Sequence, residues 1–138
     1  MRRESGDKSG IAYALHTLGN VVYRQGDHAA ARALQQESLA IRRELGDKLG
    51  IAQSLEALGG FAGAKGQEEH AARLLGAAEA LREAIGAPLP PSDRREHQQR
   101  VAEARAGLAD DVFTAAWDQG KAMRLQQVLE YALTLPVS

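Results

Sequence analysis

Apolar residues recur along this chain at helical intervals, and glycines interrupt them at regular distances. Ile11, Leu15, Leu18 and Val22 mark a first amphipathic stretch, predicted from about Lys8 to Gln25. Ala31, Leu34, Leu39 and Ile41 mark a second, running to Leu45. Ile51, Leu55 and Leu58 mark a third, and Ala71, Leu74, Leu75, Ala78 and Leu81 a fourth. Gly26, Gly46, Gly66 and Gly86 follow these stretches, where a glycine can end a helix in the left-handed conformation. Asp27 and Asp47 stand next, placed to cap the following helix. Farther on, His97, Val101, Ala104 and Leu108 share one stripe of a helix predicted over 93–107. Ser92 or Asp93 would cap it, with Glu96 completing a capping box. A short helix is predicted over 110–119, burying Val112, Phe113, Ala116 and Trp117 and ending at Gly120. Leu125, Val128, Leu129, Ala132 and Leu133 give the last helix a single apolar face.

The pattern repeats. "RRESGDKSGIA" at 2–12 and "RRELGDKLGIA" at 42–52 differ at two of eleven positions. Gly6, Gly46 and Gly86 are 40 apart, as are Arg2, Arg42 and Arg82. "LGNVVYRQGD" (18–27) aligns with "LGGFAGAKGQ" (58–67) at the same spacing. Each unit therefore holds two helices and two glycine turns. Stacked units of this kind make an all-α solenoid of antiparallel helix hairpins. The predicted division is 1–9 as the tail of a truncated preceding repeat, 10–46 and 47–87 as two repeats, and 88–138 as capping helices. Gly6 and Asp7 should then form another stop and cap, and the chain is expected to be a fragment of a longer protein. At Gly86 the joint changes to "APLPPSD", whose prolines end the array.

Composition narrows the function classes. Good helix formers dominate, and aromatic residues make up only 4% of the chain. The net charge of −1 leaves no electrostatic footprint for nucleic acid or an anionic membrane. No apolar run is long enough to span a bilayer, and the first residues lack a signal-peptide core. Cysteine is absent, which fits the expected cytoplasmic location.

Signals for chemistry are poor. His16, His28, His70 and His97 are never four apart, so no helical zinc pair is formed. His97 reads as a packing residue. "GGFAGAKG" (59–66) imitates a phosphate loop, but Gly66 follows Lys65 where Lys-Ser or Lys-Thr would be required. Close helix packing at Gly59 and Gly63 explains it better. Lys8 and Lys48 sit at helix starts beside Asp7 and Asp47 and read as solvated turn residues. Glu68–Glu69 and Asp110–Asp111 complement helix dipoles. No catalysis, cofactor or metal is expected.

Residues 12–45 and 52–85 resemble the tetratricopeptide repeat family. The first unit supplies Leu15, Leu18, Gly19, Val22, Gly26 and Ala31, with Ser38 where the family has a final Ala. The second supplies Leu55, Leu58, Gly59, Ala62, Gly66, Ala71 and Ala78. Gly19 with Ala31, and Gly59 with Ala71, would lie where paired helices cross. The 40-residue unit is six longer than the usual 34. Residues 74–133 further resemble the C-terminal end of the repeat region in bacterial signal-transduction ATPases and LuxR-type transcriptional regulators.

The resemblance implies a concave groove lined by the first helix of each hairpin. By motif position it assigns Tyr13, His16, Thr17, Asn20 and Arg24 from the first unit, and Gln53 and Glu56 from the second. Ala57, Gly60 and Ala64 fall on the same face. Asn20 matches the family's peptide-clamping Asn, whereas Gly60 breaks the second half of that clamp. The expected function is an interaction or signal-sensing module within a bacterial regulator, binding a protein or peptide partner or other domains of its parent. The alternative is a self-associating, homodimeric element. Direct nucleic-acid or membrane binding is not expected.

Overall fold

The computed structural model describes residues 2–134, and all regular structure within them is α-helical. In chain order the helices are α1 (Arg2–Arg24), α2 (His28–Leu45), α3 (Lys48–Ala64), α4 (Glu68–Ile85), α5 (Pro91–Ala106), α6 (Asp110–Ala122) and α7 (Leu125–Leu133). Pairs α1/α2 and α3/α4 are the predicted hairpins. Helix α2 packs on α3, α5 packs on α3 and α4, α6 lies along α4, and α7 returns across α2 and α4.

The four predicted turns are built one way. Gly26, Gly46, Gly66 and Gly86 have φ of 93°, 66°, 79° and 66°, a region where a side chain would be strained. The residue after each glycine donates its N–H back into the helix. Asp27 N reaches Val22 O at 3.0 Å and Asp47 N reaches Arg42 O at 3.0 Å. Gln67 N reaches Ala62 O at 2.9 Å and Ala87 N reaches Arg82 O at 3.0 Å. These bonds satisfy carbonyls that a helix end leaves open. Asp27 caps α2 by accepting from Ala30 N at 3.2 Å, and Asp47 caps α3 by accepting from Gly50 N at 2.9 Å.

Three boundary expectations are corrected. Helix α1 runs through Gly6 and Asp7 without a stop, and Gly6 is not among the glycines of positive φ. A glycine permits a turn but does not impose one. Helix α5 starts at Pro91, with Pro90 before it and no side-chain cap from Ser92 or Asp93. Proline's fixed φ already suits the first helical position. Gly120 does not end α6. It lies inside the helix, where an added Cβ would strike the Arg73 backbone of α4. Gly76 of α4 reciprocates, facing the backbone of Trp117. The two glycines let α4 and α6 touch backbone to backbone.

Glycines at the hairpin crossings act similarly. A Cβ on Gly19 would stand 3.3 Å from Ala31 O, and one on Gly59 would stand 2.9 Å from Leu75 Cγ. Gly63 makes only an ordinary contact, 3.6 Å from Ala71 Cβ. One core cluster joins Leu39, Ile51, Leu55, Leu58, Phe61 and Leu74 to Val128, Leu129 and Ala132 of α7. A second joins Ala62, Ala71 and Ala72 to Ala104, Phe113 and Ala116. Val112 is exposed and Trp117 only half-buried, contrary to the expectation for α6. Ile11 and Leu18, expected in the core, are also exposed, because nothing among the described residues packs over that side of α1.

The glycine assignments predict opposite outcomes. Gly6→Ala, at an exposed helix-interior position, should stabilise the protein by up to about 1 kcal/mol. Gly120→Val should destabilise it by about 1–3 kcal/mol, because α4 and α6 must separate. Urea denaturation of both variants checks this. A destabilised Gly6→Ala would mean the chain turns there.

Candidate functional site

Helix α3 is buried along most of its length, and the side of it that carries Gln53 faces the space between α1 and α5. All seven residues assigned from the sequence line this groove, whose volume is about 350 Å³. Tyr13, Thr17, Asn20 and Arg24 project from α1 at intervals of three and four, one face of the helix. His16 stands beside them. Gln53 and Glu56 come from α3. The opposite wall was not foreseen. It consists of Asp93, Glu96, His97 and Arg100 of α5, with Leu89 from the connecting segment. Ala57 lines the same groove, and Gly60 and Ala64 line an adjoining cavity of about 260 Å³.

The floor is an ion pair. Arg82 Nε donates to Glu56 Oε2 at 2.6 Å and Arg82 Nη2 to Glu56 Oε1 at 3.0 Å, with both side chains buried. Arg82 Nη1 also donates to Ala87 O at 3.0 Å, fastening the chain beyond α4. Glu56 is therefore a structural member of the groove. Its carboxylate is consumed by Arg82 and is not offered to a ligand. Removing one partner of such a pair strands a buried charge, at a cost of about 3–5 kcal/mol.

The α1 wall is held by Gln35 of α2, which is fully buried. Gln35 Nε2 donates to His16 O at 2.9 Å and to Asn20 Oδ1 at 3.4 Å. Its Oε1 therefore faces His16 Nδ1 at 2.9 Å, which makes Nδ1 the protonated nitrogen. Asn20 is thus oriented with its oxygen toward the fold and its NH₂ toward the groove.

On the far wall, Arg100 reaches across α3. Its Nη2 donates to Glu96 at 2.9 Å, and its stem covers Gly60, where a Cβ would come within 2.8 Å of Nε. The missing side chain at Gly60 makes room for Arg100. That glycine, standing where the family's second clamping Asn was expected, was the available sign that another element covers α3. His97 points its Nδ1 into the interior, where it has no hydrogen-bond partner among the described residues.

Three histidines feel this burial. His16 and His97 are held below their ordinary pKa of 6.5. Desolvation is the main cause for both. Arg42 adds to it for His16, while Glu56 partly offsets it for His97. His70, joined to Tyr131 of α7, is lowered by burial and by Arg73. The unfolded chain consequently binds more protons than the native one below pH 6.5. Stability should be complete above that value and fall as pH drops through the lowered pKa values. Denaturation midpoints between pH 7.5 and 5 test this, and His97→Gln should shrink the decline. A midpoint independent of pH would refute it.

Among the described residues, no cluster of three His, Asp or Glu could hold a metal ion, and no helix is long and apolar enough to cross a membrane. No curated protein and no solved structure matches the chain. The tetratricopeptide repeat pattern matches residues 10–84, more than half of the 138 residues and the span of both hairpins. The chain belongs to the tetratricopeptide repeat family.

Proposed function

We propose that this chain is an interaction module that takes an extended peptide segment of a protein partner into the groove between α1, α3 and α5. Tetratricopeptide repeats generally mediate protein–protein interaction and are typically non-catalytic. One observation carries the assignment to this groove. The side chains of Tyr13, Thr17, Arg24 and Gln53 line it without a hydrogen bond or ion pair among the described residues, and the Asn20 NH₂ is likewise uncommitted. Asn20 offers a donor, and Gln53 both a donor and an acceptor, which suits the alternating polar groups of a peptide backbone. Arg24 and Arg100 are balanced by Asp93 and Glu96, so the groove selects by shape and backbone contact more than by net charge.

The parent context follows from the resemblance of residues 74–133. It supports a module within a cytoplasmic bacterial regulator, where partner capture serves signal sensing.

Selection from a displayed library of random peptides tests the groove. Selected peptides should lose at least about tenfold in affinity for the Asn20→Ala/Arg24→Ala variant, about 1.4 kcal/mol. Affinity unchanged by both substitutions would remove the assignment.

A further inference from the structure

The two hairpins differ at one ion pair. In the first, Lys8 of α1 pairs with Glu44 in the last turn of α2, Nζ to Oε1 at 3.4 Å. Forty positions on, Lys48 opens α3, and Ala84 stands in the last turn of α4 where Glu44 stands in α2. Lys48 is exposed and makes no hydrogen bond or ion pair among the described residues. Glu37 of α2 is likewise matched by Ala77 in α4. The second hairpin thus keeps the lysine and lacks its carboxylate.

A cavity of about 370 Å³ lies at this place, between α3, α4 and the joint from α6 to α7. Lys48 and Ala84 both line it. Most of its wall is aliphatic: Leu55 of α3, Ala77 and Leu81 of α4, Met123 of the joint, and Leu125 and Val128 of α7. Lys121 is the second cation on the wall, already shared by Glu79 at 3.4 Å and Glu83 at 3.5 Å. Lys48 is therefore the unbalanced charge. The volume falls within the range of small-molecule sites, and an apolar cavity takes apolar molecules more readily than ordered water. It lies apart from the groove, since the two share no lining residue.

We propose that this cavity binds a straight-chain aliphatic carboxylate. Its chain lies against Leu55, Leu81 and Val128, and its carboxylate meets Lys48 as that of Glu44 meets Lys8. The body of the ligand follows from the wall, where only the two lysines carry strong hydrogen-bonding groups. A polypeptide would bring N–H and C=O groups against that wall and leave them unpaired, a penalty that an alkyl chain avoids. The head follows from Lys48, which attracts a carboxylate and repels an ammonium.

Calorimetric titration of the full chain at neutral pH tests this, with decanoate and decylammonium as probes. Decanoate should bind saturably, and at least about fivefold more tightly than decylammonium. Hexanoate, with its shorter chain, should bind at least about tenfold more weakly than decanoate. Ala84→Glu restores the ion pair of the first hairpin and should weaken decanoate at least about fivefold. Lys48→Glu should reverse the preference in favour of decylammonium. Both positions are exposed, so both variants should fold. The groove variant Asn20→Ala/Arg24→Ala should leave decanoate binding unchanged, which separates this cavity from the groove. The proposal is overturned by absence of saturable decanoate binding, or by decylammonium binding as tightly. Decanoate binding that ignores both Lys48→Glu and Ala84→Glu also overturns it. So does a peptide ending in leucine that displaces decanoate from this cavity at lower concentration, since a chain end would then be the occupant.

Discussion

The withdrawal of α3 from water is the constraint on which the rest depends. Ile51, Leu55 and Leu58 are fully buried between α2 and α4. Each such side chain contributes about 1.5–3 kcal/mol when removed from water. The burial requires α4 to approach at Gly59, α2 to lay Arg42 over Gly50, and α5 to lay Arg100 over Gly60. With three neighbours in place, the side of α3 carrying Gln53 becomes the floor of a groove. The groove is thus a by-product of how the central helix is covered.

The two repeats share a backbone but differ inside. In the second hairpin Leu75 packs on Gly59, and Ala78 is buried nearby. In the first, the matching positions are Gln35 and Ser38. Gln35 binds His16 O and Asn20, and Ser38 Oγ donates to Ala12 O at 2.6 Å. The second crossing draws on apolar burial. The first draws on hydrogen bonds, each of small net value but costly to leave unmade. The same division holds for the repeated arginine. Arg42 reaches forward to the next helix, whereas Arg82, with Pro90 in the position that matches Gly50, turns back onto Glu56. The polar interior of the first hairpin orients Asn20, and the buried ion pair of the second anchors the groove floor.

Helix α5 alters what the repeats can present. Two stacked hairpins would leave the face bearing Gln53 and Gly60 open. With α5 packed against α3 and α4, that face becomes a cleft with two walls, carrying two cations and two anions on its upper edges. Histidines are caught in the packing, and burial holds His16 and His97 below the ordinary imidazole pKa.

The sequence by itself determined the helices, the order of the hairpins and the family. Those features are local: an apolar residue every three or four positions, a glycine that alone tolerates φ near 66–93°, and an aspartate that caps the next turn. Their duplication at 40 residues made the stacking legible, and the resemblance to the family, by motif position, assigned residues of α1 and α3 to the groove. Only the tertiary structure decided whether a glycine serves as a stop or as a close approach. Gly46 and Gly120 look alike in sequence, yet one turns the chain and the other receives the Arg73 backbone. Only the fold decided that Glu56 belongs to Arg82, that α5 supplies the second wall, and that Gly6 lies inside a helix. Each of these depends on which element arrives from elsewhere in the chain, and hydrophobic periodicity carries no record of that neighbour.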